Sequence, residues 1–118
     1  MAKQKILLKG IPANIGKVEG KARIISGDTI NDSKLLKELS KVKRSEILIT
    51  EMTRPLFVIV MRKVAGIITD RGGILCHAAM VAREFNLPCV VNTGNATMKL
   101  KTGQKILLDA DKGIIYGF

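Results

Sequence analysis

The one histidine of the chain, His77, follows a pair of glycines and opens a stretch with helical periodicity. Glycine has no Cβ, so Gly72 and Gly73 allow the backbone to approach a bound group closely. Amides at the start of a helix lack intrahelical acceptors and lie at its positive end, which favours an anion such as phosphate. The spacing therefore predicts an anion site beside an imidazole ring.

An imidazole in this position can act as a covalent nucleophile. The positive end of the helix favours the neutral ring, which is the nucleophilic form. If His77 carried a phosphoryl group, the amides around Cys76 and Ala78 would stabilise its charge. From spacing alone, a histidine that only caps or packs at a helix start is the commoner explanation, because one glycine pair before a helix is a weak signal.

The segments on either side of His77 predict the elements that must hold it. Residues 67–69 are typical of a buried strand, and residues 77–85 have one apolar helical face. Asn86 can end that helix, since asparagine tolerates left-handed backbone. Pro88 then precedes a predicted strand over residues 89–91.

The rest of the chain predicts strands alternating with helices and a closing hairpin, which is a mixed α/β pattern. The predicted strands are 5–8, 18–25 and 46–50, with a hairpin of 105–108 and 114–116. A helix capped by residues 31–33 is expected to reach Val42, and a second one to begin at Pro55 and break at Gly66. The segment with Gly10, Pro12 and Gly16 is predicted to be a loop.

Length and composition restrict the class of protein. The 118 residues suit one domain, predicted to span 1–118. The longest apolar run, Leu56 to Met61, falls far short of the roughly 20 residues that a membrane span needs. No signal-length apolar stretch follows Met1, so we expect a cytoplasmic protein without a membrane partner. Two cysteines argue against a disulfide framework.

The net charge of +10 first suggests nucleic acid as a partner. The lysines are scattered, however, and with three Phe, one Tyr and no Trp the chain has few side chains on which bases could stack. The sequence therefore argues against nucleic acid. A generally basic surface and an attraction to an acidic protein or to phosphate both stay open.

Cysteine chemistry is a weaker hypothesis than histidine chemistry. Cys76 could be a reactive thiol, but a small residue at a helix cap is the favoured explanation. A zinc site built from Cys76, His77 and Cys89 conflicts with the usual spacing, because two of the ligands would be adjacent. We expect no metal on this chain.

Residues 69–97 contain a series of short motifs around His77. They are Gly72-Gly73, Cys76-His77-Ala78-Ala79, Ala82-Arg83-Glu84, Pro88-Cys89-Val90 and Gly94-Asn95-Ala96-Thr97. In this order and spacing they resemble the phosphohistidine segment of the phosphoenolpyruvate-utilising enzymes, a family that includes phosphoenolpyruvate synthase, pyruvate phosphate dikinase and enzyme I of the sugar phosphotransferase system. Further similarity extends over practically the whole chain.

The resemblance implies a swivelling β/β/α phosphohistidine domain, with mixed sheets and packed helices. It implies that His77 accepts a phosphoryl group at a nucleotide site and carries it to a phosphoenolpyruvate or pyruvate site, or the reverse. Those sites are expected on partner subunits or domains, which would also hold magnesium and ATP or phosphoenolpyruvate. The chain is expected to bind no cofactor itself and to be inactive alone.

The resemblance also assigns supporting residues. Thr53-Arg54-Pro55 is similar to the family's Thr-x-Pro loop, and Arg54 could pair with the phosphoryl group or be a solvated surface residue. Arg83 is expected to be structural or to contact a partner. Leu75 stands where the family usually has threonine, which pyruvate phosphate dikinases phosphorylate for regulation, so that control is not available here.

These observations favour a phosphoryl carrier with His77 as nucleophile and Gly72, Gly73, Cys76 and Ala78 around the phosphate. A non-catalytic adaptor that kept the fold and lost transfer is the alternative. A basic protein that binds nucleic acid is the third candidate.

Overall fold

A computed structural model describes residues 4–26, 28 and 30–118. Within these residues, eight strands form one mixed sheet in the order β1-β8-β7-β3-β4-β5-β6-β2. The strands are β1 Lys5–Lys9, β2 Ile11–Asn14, β3 Lys17–Ile24, β4 Ile47–Thr50, β5 Gly66–Thr69, β6 Cys89–Val91, β7 Lys105–Asp109 and β8 Ile114–Gly117. The helices are α1 Asp32–Leu39, α2 Val58–Met61, α3 His77–Phe85 and α4 Ala96–Lys99, with a 3-10 turn at Pro55–Phe57 before α2.

Strand β3 belongs to both halves of the sheet. Its first part pairs with β7 in antiparallel register, from Lys17 with Asp109 to Lys21 with Lys105. Its last part, from Ala22, pairs with β4 in parallel register. The long strand therefore joins an antiparallel half, β1, β8 and β7, to a half in which β4, β5 and β6 run parallel.

The parallel strands are buried on both faces, which explains their continuous apolar sequences. Ile47 and Ile49 pack with the antiparallel half, whereas Leu48 packs with the helices. Residues in β5 divide in the same way, with Ile68 facing the antiparallel half and Ile67 the helical layer. Two cores result, one between the halves of the sheet and one under the helices, and they confirm the expected mixed α/β, β/β/α architecture.

Helix α3 and the start of α1 agree with the prediction from local signals. Helix α3 covers the predicted residues 77–85, and Asn86 ends it with φ 54°. Asn31 caps α1, because its side chain accepts a hydrogen bond from Lys34 N. That helix ends at Leu39 rather than at Val42, although Val42 is still buried.

Two local predictions were wrong, and one helix was missed. The segment with Pro12 is strand β2 and not a loop, because Ile11 to Asn14 pairs with β6 at the edge of the sheet, where a proline is tolerated. The helix expected from Pro55 to Gly66 is a 3-10 turn and the short α2, and Gly66 begins β5. Helix α4 was not predicted. Among the described residues no helix has the length and apolar character to cross a membrane.

Candidate functional site

The loops after β4 and β5 leave the sheet at the same edge, because the two strands are parallel and Thr50 is aligned with Thr69. Ligand sites commonly form where such loops meet. The first loop carries Thr53, which is buried, and the second leads to His77 at the start of α3. Thr53 Oγ1 lies 2.7 Å from His77 Nδ1, a hydrogen bond that fixes the plane of the half-buried imidazole.

The start of α3 is open to an anion. Cys76 occupies the cap position with extended backbone, and its side chain makes no capping hydrogen bond. The first amide to bond back into this turn is that of Met80, which donates to Cys76 O at 3.0 Å. Within the described part of the chain, the amides of His77, Ala78 and Ala79 have no backbone acceptor. Free amides at the positive end of a helix stabilise a bound anion.

The two glycines of the preceding loop, Gly72 and Gly73, have different backbone conformations and surroundings. Gly72 has φ +116°, and a Cβ there would lie 2.5 Å from Met52 Cε and 2.9 Å from Cys76 Sγ. Gly73 has no positive φ, and a Cβ there would meet nothing within 4 Å. Gly72 is therefore required for the shape of the loop, whereas Gly73 faces open space into which a ligand can come close.

Alanine substitutions at Gly72 and Gly73 should differ in their effect on the stability of the fold. We expect Gly72→Ala to lower the free energy of unfolding by about 1–3 kcal/mol, since it forces a side chain into left-handed backbone against packed neighbours. Gly73→Ala should change it by less than about 0.5 kcal/mol. Urea unfolding followed by circular dichroism measures both. Equal losses in the two variants would contradict this division.

Cys76 helps to shape the loop that precedes α3. Its amide donates to Gly73 O at 3.1 Å, so it is not among the free amides at the helix start, and its sulfur packs near Gly72. Cys89 lies inside strand β6, where burial raises the pKa of its thiol to about 12. That thiol therefore stays protonated near neutral pH. Among the described residues, no group of three His, Cys, Asp or Glu side chains could hold a metal ion.

The two arginines predicted near the site lie in different surroundings. Arg54 donates to Ile30 O at 2.9 Å and approaches Asp32 at 3.8 Å, so it joins the loop after β4 to the start of α1. Arg83 donates to Ala13 O at 3.3 Å, which ties α3 to β2. A role for Arg54 at the phosphoryl group stays a prediction.

Asp70 is a residue whose role sequence reasoning missed. Its carboxylate accepts Thr97 N at 3.0 Å and Thr97 Oγ1 at 2.5 Å, and its carbonyl accepts Gly94 N at 2.9 Å. It therefore holds the segment 94–97 against the loop that leads to His77. The available signal was a carboxylate directly after an apolar strand, which is costly to bury without partners.

A bidentate ion pair fixes the same loop from the other side. Arg71 donates to both oxygens of Asp28 at 2.7 and 2.8 Å. The hydrogen bond from Arg71 lowers the pKa of Asp28 below its usual value. Beyond this pair the loop is apolar and exposed, since Ile74 is 55% and Leu75 78% accessible. The loop before His77 is thus held by an ion pair at its start and exposes two apolar side chains near its end.

Fold and site together define a β/β/α domain that presents one histidine at an uncapped helix start. The family model for the mobile domain of PEP-utilising enzymes matches residues 42–113. The chain belongs to this family, and the resemblance read from its sequence is confirmed.

Relatives and solved structures agree with this assignment. The probable phosphoenolpyruvate synthase of Methanothermobacter thermautotrophicus is 43% identical over 96% of this chain, which spans 15% of that protein. The phosphoenolpyruvate synthase of Pyrococcus furiosus is 41% identical over 95% of this chain, which spans 13% of that protein. The chain therefore corresponds to a small part of these larger enzymes.

Two solved structures have a similar fold. The solution structure of Enzyme I is 28% identical with a TM-score of 0.57, over 70% of this chain and 38% of that one. Aconitase X of Thermococcus kodakaraensis in its holo form has a TM-score of 0.67 over 99% of both chains, but at 19% identity that likeness concerns the fold alone.

Proposed function

We propose that this chain is a phosphoryl carrier that is transiently phosphorylated on His77. The observation that carries the proposal is the hydrogen bond of 2.7 Å between Thr53 and His77 Nδ1, at a helix start whose amides are free. Phosphoryl transfer requires a nucleophile, a group that orients the nucleophile, and hydrogen-bond donors that stabilise the developing negative charge. Membership in the mobile-domain family supports the same conclusion.

Thr53 selects the reacting nitrogen. Because Nδ1 is engaged by the Thr53 hydroxyl, Nε2 is the ring nitrogen left for the phosphorus atom. In the reactive tautomer the proton is on Nδ1 and is donated to Thr53 Oγ1, so Nε2 keeps its lone pair. The N–P bond forms as the bond from phosphorus to the leaving group breaks, and the return transfer reverses both changes.

The start of α3 suits both states of the carrier. The amides of His77, Ala78 and Ala79 can stabilise the negative oxygens of a phosphoryl group through short hydrogen bonds. Gly73 leaves room for close approach. No side chain has to move into place for this stabilisation, which limits the reorganisation needed during transfer.

The remaining parts of the reaction belong to partners. We infer that a nucleotide site and a phosphoenolpyruvate or pyruvate site lie on other subunits or domains, together with magnesium. The size of the chain supports this inference, because the chain spans only 12–15% of the length of the first phosphoenolpyruvate synthases that it matches. Phosphoryl transfer rests mainly on positioning and on neutralising charge, and such partners would supply most of both.

Potassium phosphoramidate tests the proposal without any partner. The imidazole attacks phosphorus, ammonia leaves, and the adduct should be labile to acid and stable to base. We expect peptide mapping to place it on His77 and phosphorus NMR to place it on Nε2, with formation about tenfold faster than on N-acetylhistidine. In Thr53→Val this preference for Nε2 should weaken. An unmodified His77, or loading no faster than on the free amino acid, would favour the adaptor instead.

A further inference from the structure

A groove of about 450 Å³ lies between α1 and the end of β3. Its size falls in the range of sites that accept a ligand or a few side chains of a partner. The residues that line it combine two isoleucines, one serine and a charged rim. They are Ile24, Ser26, Ile30, Lys34, Lys37, Glu38 and Lys41.

The rim is positive because of how α1 packs. Leu35 and Leu39 are buried beneath the helix, and Lys34 and Lys37 of α1 line the groove together with Lys41, which follows the end of the helix. Lys41 forms an ion pair with Glu38 at 2.7 Å. Within the described residues, Lys34 and Lys37 form no ion pair, so two ammonium groups are free to meet charges from outside.

The floor of the groove is apolar. Ile24 and Ile30 are only partly buried, and each packs at the border of one of the two cores. An apolar floor below a rim of free ammonium groups favours an occupant that is acidic and carries an apolar side chain. Such an occupant would cover the isoleucines and pair with the lysines at the same time.

The groove is connected to the phosphohistidine site by a short series of contacts. The backbone carbonyl of Ile30, in the floor of the groove, accepts a hydrogen bond from Arg54. Arg54 follows Thr53 in the chain, and Thr53 contacts the His77 ring. An occupant of the groove would therefore dock at the same end of the molecule as the group that transfers phosphate.

We propose that this groove docks an acidic, amphipathic polypeptide segment of the partner that loads or unloads His77. The proposal rests on the proposed function for the identity of the partner. Charge complementarity is its main argument, since residues 1–45 hold 11 basic and 4 acidic side chains, +7 of the net +10. A segment of this kind speeds encounter and orients the partner, whereas the chemistry stays at His77.

A synthetic peptide of repeated Glu-Glu-Leu, acetylated and amidated, serves as the probe, with a Gln-Gln-Leu peptide as its control. Titrated into the full chain labelled with nitrogen-15, it should shift amide signals of residues 24–41 selectively. Lys34→Glu with Lys37→Glu should weaken binding about tenfold. The control is the double variant Lys99→Glu with Lys101→Glu, which makes the same change of net charge on exposed residues outside the groove. It should weaken binding of the peptide by less than about twofold.

Several outcomes would overturn the docking site. They are shifts spread over all lysine-bearing surfaces, equal losses in the two double variants, equal binding of the Gln peptide, or stronger binding of ATP in the groove. Loading by phosphoramidate should be unchanged in the Lys34 and Lys37 variant, and His77→Asn should still bind the peptide. Failure of the docking site and failure of the carrier function are therefore distinguishable.

Discussion

Replacing His77 by asparagine is expected to abolish the acid-labile phosphoryl adduct completely. The described structure offers no second imidazole, and the sequence contains none. Without the Nε2 lone pair, the amides at the start of α3 have no nucleophile to assist, so the rate of loading should fall by at least about 10³-fold. Mass spectrometry of the intact chain after treatment with phosphoramidate measures this loss.

Two controls keep this result interpretable. The asparagine variant should unfold within about 0.5 kcal/mol of the parent chain, because the ring is only half-buried and asparagine is accepted near helix starts. Cys76→Ser should load normally, since the Cys76 thiol makes no capping hydrogen bond. An adduct that persists in His77→Asn would mean that a lysine or the thiol is the true acceptor, and the carrier function would then be wrong.

The largest effect on stability is expected at Glu46, which is nearly buried at the start of β4. Its carboxylate accepts Arg23 Nε at 2.9 Å, Arg23 Nη2 at 3.0 Å and Lys43 N at 2.6 Å. Burial alone would raise the pKa of Glu46, but the hydrogen bonds from Arg23 and Lys43, with the charges of both residues, lower it below its usual value. The pair joins β3 to β4, the strand that leads to Thr53.

We expect Glu46→Gln to lower the free energy of unfolding by about 2–3 kcal/mol at neutral pH, since it leaves Arg23 in place without its counter-charge. A carboxyl group with a lowered pKa stabilises the fold above its unfolded pKa, about 4.5, and loses this effect as the pH falls through its folded pKa. The difference between parent and variant should therefore shrink below about pH 4.5. Urea unfolding across this pH range measures it.

Glu19 provides the matched control. It pairs with Lys105 at 3.8 Å, and both side chains are more than half exposed. Exposed pairs contribute little, so Glu19→Gln should cost less than about 0.5 kcal/mol at any of these pH values. A difference at Glu46 that stays constant down to acid pH would show that the carboxylate charge is not what stabilises the pair.

Local signals in the sequence were enough to predict helix α3 and the histidine at its start. The apolar face of residues 77–85 and the left-handed tolerance of Asn86 act within a few residues, so helix α3 was correctly bounded. Strands β4, β5 and β6 were found for the same reason, because strands buried on both faces have short, continuous apolar runs. The resemblance of the motifs around His77 then indicated the family.

Contacts between segments that are distant in the chain could not be predicted from these local patterns. Strand β2 forms because it pairs with β6, and the sequence from Ile11 to Asn14 contains no signal that predicts this pairing. The hydrogen bond that Thr97 donates to Asp70 joins residues 27 positions apart, and it decides where segment 94–97 lies. The groove lined by Ile24 and Ile30 likewise forms only when α1 packs beside the end of β3.

The sequence by itself determined that one histidine would follow a glycine loop at a helix start, because backbone conformation and amphipathic periodicity are short-range properties. Only the tertiary structure decided that Thr53 would hold Nδ1 and leave Nε2 open, and that Gly72 would shape the loop while Gly73 faces solvent. Those features depend on parallel pairing of β4 with β5, which brings Thr53 and His77, 24 positions apart in the chain, to one edge of the sheet. Long-range pairing of this kind is set by the packing of the whole core and cannot be read from any one segment.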